Sequence, residues 1–133
     1  MASKQNFVLL ALALLVSTGI QAQTFDWVVQ TGNSLYEDAK AVDVDPSGNV
    51  VSVGYFSGTM DANPGAGTLN LVSNGAQDIF IQKLGSNGQL LWAKKIGGTA
   101  FEGANDVVTN AMGEIYITGT YTGTVDFDPG FST

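Results

Sequence analysis

The side chains able to do chemistry in this chain are acidic ones. Twelve Asp and Glu stand against five Lys, with no His, Cys or Arg. That inventory excludes a Ser-His-Asp triad, a Cys-His dyad, a His or Cys metal site and a disulfide framework. Any acid–base step would fall to Asp, Glu, Lys or Tyr. Asp43, Asp45, Ser47 and Asn49 follow a D-x-D-x-S-G-N spacing that partly matches the oxygen ligands of a calcium loop. The bidentate Glu such a loop needs is missing, and the same residue types would equally cap a turn. Asp61, Asn63, Pro64 and Gly65 recur as Asp126, Asp128, Pro129 and Gly130. Side chains two apart in an extended segment share a side, so a Pro-Gly turn could present these oxygens to a hard cation. An Asx-Pro-Gly turn closing an extended segment explains the recurrence as well. Calcium is thus the one cofactor left open, with Asp61, Asn63, Asp126 and Asp128 as its first ligand set and Asp43 and Asp45 as a weaker one.

Glu37 with Asp38, and Glu102, follow aromatic residues at Tyr36 and Phe101. Carboxylates facing each other across a cleft can hydrolyse glycosides. These two Glu occupy equivalent places in successive repeats, so no pairing across a cleft is expected and no catalytic residue is assigned. Trp27 and Trp92 have the look of sugar-stacking platforms, but Trp92 lies in the alternating LLWAKKI and reads as core. Lys94 and Lys95 read as a solvated strand edge that discourages aggregation. The net charge of −7 repels a phosphate backbone and no basic cluster offsets it, which argues against nucleic acid as a partner.

The elements that must position these groups emerge when the chain is slid against itself. At an offset of 65 residues Trp27 falls on Trp92, and a gapless match runs on through Glu37 and Glu102, Ala39 and Ala104, Gly54 and Gly119, and Asp61 and Asp126, with twelve identities from Trp27 with Trp92 to Gly65 with Gly130. Within each copy the pattern is strand, turn, strand. AVDVD, PSGN and VVSVGYF make one hairpin, with a Gly for the positive-φ position, and DVVTN, AMGE and IYITGTY repeat it. QDIFIQKL, GSNG and QLLWAKKI form a further hairpin, and no helical period persists beyond a turn after Gln23. Val50, Val51, Val53, Tyr55 and Phe56 place apolar groups on both faces of one strand, as in a sheet sandwiched between sheets.

Ahead of the repeats, Lys4, the apolar run Phe7 to Val16 and a small-polar tail follow the order of a signal peptide. The run of about ten residues falls short of the ~20 needed to span a bilayer. Cleavage after Ala22 would leave 111 residues with no membrane span. The organisation expected is a signal peptide over 1–22, a first repeat over 23–91 and a second, truncated repeat over 92–133, destined for secretion, the cell surface or the periplasm.

Four short strands per period with recurrent Gly and aromatic landmarks are the cue for a β-propeller. The phrases LYEDAKAVDVDPSGNVVSVGYFSGTMDANPG, AQDIFIQKLGSNGQLLWAKKIGG and DFDPG resemble the SBBP-type, seven-bladed-like β-propeller repeat family of exported bacterial proteins. The fold class expected is all-β, about two antiparallel blades of a larger ring. Rings of about four to eight blades would need about 260 to 520 residues at this period. The reading is therefore an N-terminal fragment, with the remaining blades supplied by a longer chain or, alternatively, by other subunits. The expected role is a non-catalytic scaffold for protein or glycan. The alternatives are part of a secreted polysaccharide-active enzyme and a calcium-stabilised adhesive module.

Overall fold

The computed structural model describes residues 25–32, 36–128 and 130, so the leader expected over 1–22 lies outside the described residues, as does Pro129. The regular elements are all strands: β1 (Glu37–Val44), β2 (Val50–Phe56), β3 (Thr59–Asp61), β4 (Asn70–Val72), β5 (Asp78–Leu84), β6 (Leu90–Gly98), β7 (Gly103–Thr109), β8 (Ile115–Thr120) and β9 (Val125–Asp126). There is no helix among the described residues, and hence none long and apolar enough to cross a membrane.

Three turns are built alike because their sequences demand it. Gly48, Gly88 and Gly113 have φ of 79°, 79° and 78°, and each donates its amide to the carbonyl three residues back, on Asp45, Gly85 and Asn110. A left-handed residue there lets a short loop join twisted antiparallel strands, and Gly adopts it without a Cβ penalty. The first two turns join β1 to β2 and β5 to β6; with the antiparallel β2–β5 pairing they give a sheet ordered β1-β2-β5-β6, extended by β9. The third joins β7 to β8, the start of a second blade. A small β3–β4 hairpin interrupts the passage from β2 to β5. The fold is thus all-β and propeller-like in its repeats, with sheets that do not close on themselves.

Both faces of the first sheet are buried at its central strands β2 and β5, as the pattern of β2 requires. On one face Val51, Val53, Ile79 and Ile81 pack against Ala104 and Val107 of β7, making the core between blades. On the other, Phe56, Phe80 and Ala93 pack against Met60, Ala62 and Leu71 of the β3–β4 hairpin and the residue that follows β3. One of the repeat's identities, Gly54 with Gly119, has a steric cause. A register shift between Ala39 and Ala41 brings β1 so close to β2 that a Cβ on Gly54 would lie 2.0 Å from the Asp38 carbonyl oxygen. A shift between Ala104 and Asp106 does the same at Gly119, where a Cβ would lie 2.3 Å from the Gly103 carbonyl oxygen. Only Gly fits such an approach.

Candidate functional site

The carboxylates singled out by spacing are placed by the strand ends and turns, and each is engaged by the chain itself. Asp45 precedes the β1–β2 turn; its Oδ1 accepts the amides of Ser47 and Asn49, and its Oδ2 accepts from Asn49 Nδ2 at 2.9 Å. Lys83 Nζ lies 2.7 Å from the same Oδ2. The Lys83 ammonium, then the Asn49 side chain, hold the Asp45 carboxyl far below the ordinary carboxylate range. In the second repeat Asn110 replaces Asp45, and its Oδ1 accepts the amides of Met112 and Glu114 in the same way. The acid and amide have changed places: Asp45 with Asn49 becomes Asn110 with Glu114, still joined by a side-chain hydrogen bond. In these two turns the side chain at the first position serves as an oxygen acceptor, whether or not it carries a charge.

Asp43 does not join Asp45. Its Oδ2 accepts from the amide and the hydroxyl of Thr109, the latter at 2.8 Å, tying β1 to β7 across the blade boundary. The Thr109 hydroxyl, then its amide, draw the Asp43 carboxyl below its usual value. Asp61 Oδ1 accepts the amides of Asn63 and Leu69, which lower its pKa, and Asn63 Oδ1 accepts the amide of Gly65. Asp126 and Asp128 repeat this, accepting from Asp128 and Gly130. These are successive Asx turns that fix the chain beyond β3 and β9. Among the described residues no group of three or more His, Cys, Asp or Glu is gathered as a metal site.

β3 and β9 also explain why Gly32 and Asp61 recur as Gly97 and Asp126. Gly32 donates its amide to the Asp61 carbonyl at 2.9 Å, and Gly97 pairs with Asp126 where β6 meets β9. Each repeat therefore clasps the segment standing 65 residues before its successor. Trp27, the counterpart of Trp92, lies against Gly88 and donates Nε1 to the Ser86 carbonyl at 2.8 Å. Trp92 itself is half-buried against the inter-blade core. The cleft beside Trp27 is lined by Val29, Asn63, Pro64, Asn87, Gln89 and Leu90, a neutral surface of amides and apolar groups.

Two buried acids complete the picture, and the spacing argument reached only one of them. Asp78 is fully buried, with Oδ2 accepting from the Asn74 amide at 2.9 Å and from Lys95 Nζ at 3.3 Å. Glu102 is 2% exposed and accepts the Gly98 amide at 2.8 Å. Asp78 rests on Gly97, where a Cβ would come within 2.1 Å of its Cγ. Asp78 Oδ1 and Glu102 Oε1 have no hydrogen-bond partner among the described residues. Glu37, at the place of Glu102 in the first repeat, lies with its carboxyl beside Gly32. The Glu37 and Glu102 carboxyls thus each back onto the glycine-bearing segment that precedes them. The lysines expected as a solvated edge are half-buried instead: Lys94 donates to the Gly130 carbonyl, beyond β9, and Lys95 to Asn74 in the loop before β5 and to Asp78.

No protein-family model and no solved structure matches the chain. An uncharacterized WD repeat-containing protein of Acanthamoeba polyphaga mimivirus is 23% identical over 110 residues, covering 72% of this chain. The chain spans 8% of that relative's length.

Proposed function

We propose that the chain is a β-propeller-type repeat segment that acts as a non-catalytic interaction scaffold, exported to the medium, periplasm or cell surface. The observation that carries this reading is the stacking of β7 on the Val51 and Val53 face of the first sheet, one blade against the next at the sequence period. The likeness to a WD repeat-containing protein supports a propeller-type repeat scaffold for protein interaction. The resemblance to SBBP-type repeats and the apolar run of the leader support an exported bacterial protein of that family. The absence of catalysis is supported by how the acids are used: Asp43, Asp45 and Asp61 bind backbone amides, Thr109 or Lys83, and Asp38 binds Lys40 and Tyr55. The neutral amide-lined cleft beside Trp27 supports a glycan or protein ligand at the turn end of the blade.

The test is to screen the chain against immobilised glycans and to assay each retained glycan for cleavage. Retention without turnover is expected, and it weakens when Asn87 and Gln89 are both replaced by Ala. Turnover that Glu102→Gln abolishes would overturn the non-catalytic reading.

A further inference from the structure

β8 holds the same place in the second repeat as β2 in the first, residue for residue at the 65-residue offset. β2 is paired along both edges, to β1 and β5, whereas β8 is paired to β7 alone among the described strands. Matched positions record the difference. Phe56 is 0% exposed and its counterpart Tyr121 is 60% exposed; Ala62 is 0% exposed and its counterpart Phe127 is 57% exposed. Tyr121 and Phe127 stack edge to face, with ring centroids 5.3 Å apart, over a groove of about 260 Å³ that also takes in Ile79, Ile96 and Ile117. An unpaired strand edge beside an apolar groove fits an incoming strand, which brings main-chain pairing and alternate side chains together.

We infer that the outer edge of β8 receives an antiparallel strand of the β5 kind, a Phe-Ile-Gln-Lys-Leu-like segment from a further repeat, completing a second blade; this rests on the propeller-type reading above. The register follows from the first blade. Gly54 pairs with Phe80 and Val50 with Leu84, so the incoming aromatic stands opposite Gly119 and the incoming Leu opposite Ile115. Phe80 shares a face with Phe56, and the corresponding face of β8 carries Ile115, Ile117 and Tyr121 towards the first sheet. The incoming aromatic therefore seats in the groove. A second copy of this chain offers no free strand of this kind, because its β5 is already paired to both β2 and β6. What a copy does offer is residues 25–32, which correspond to 90–97 and so belong to the β6 kind.

The test adds a synthetic hairpin of residues 76–98 to the full chain and follows amide hydrogen exchange residue by residue, with the Phe80→Lys hairpin as control. The expected result is saturable one-to-one binding that slows exchange at alternate amides of Ile115–Thr120. The control hairpin should bind at least tenfold more weakly, and Ile117→Lys in the chain should abolish the protection. Slow exchange across β1, β2, β5 and β6 in the free chain verifies the first blade separately. Loss of that protection would overturn the propeller-type reading itself. A protected first blade whose β8 gains nothing from the hairpin would overturn only this inference, and chain dimers joined through β8 and indifferent to the hairpin would overturn it in favour of a second copy.

Discussion

At the scale of single residues, Asp45 carries two separable jobs. Its Oδ1 shapes the turn, which Asn110 also does, while its Oδ2 meets Lys83 from β5. Asp45→Asn should keep the turn and lose the ion pair, whereas Asp45→Ala should lose both and melt lower. The carboxyls of Asp43, Asp45 and Asp61 are all held below the ordinary value by donors present only in the folded chain. A depressed folded pKa means that the unfolded chain takes up protons first as pH falls. The stability is then full above the unfolded carboxyl value of about 3.9 and is lost as pH drops towards the folded values. Melting temperature measured between pH 7 and pH 2 should fall steeply below about pH 4, and Asp45→Asn should flatten that fall. An unchanged profile in the variant would contradict the assignment of Lys83 as the partner that matters most.

At the scale of elements, the close approach of β1 to β2 sets the sharpest steric demand. Gly54→Ala should cost about 1–3 kcal/mol, as for other overpacked sites, because the obstacle is backbone rather than a flexible side chain. Phe56→Ala, which empties the core beneath the β3–β4 hairpin, should cost about 3–5 kcal/mol. Urea denaturation of both variants checks these values; a neutral Gly54→Ala would refute the approach of the two strands. Much at this scale was legible in the sequence, because turns and alternation are local: Gly48, Gly88 and Gly113 mark the hairpins, and the strands begin within a few residues of the apolar runs. The short β3, β4 and β9 were not read as strands, since two or three residues carry no period. The clasp from Gly32 to Asp61 was also hidden, because it joins segments that no local pattern connects. Asp78 gave no signal either: an Asp opening an apolar strand looks exposed until the loop before β5 and the Gly97 backbone close over it. The acidic pairs that the sequence leaves open between cation ligand and turn were visible as residues, yet their uses depend on which amides the fold brings near.

At the scale of the molecule, the 65-residue period becomes a stack of sheets. β7 covers the Val51 and Val53 face of the first blade, Asp43 bonds Thr109 across the boundary, and β9 extends the edge of β6. This interlocking supplies rigidity without disulfides, which a chain lacking Cys requires. The most direct test of blade-on-blade stacking is a methyl nuclear Overhauser spectrum of the chain. The account predicts cross-peaks from Val107 to Val51, Val53 and Ile81; a Val107 that contacts only its own β7–β8 hairpin would contradict it.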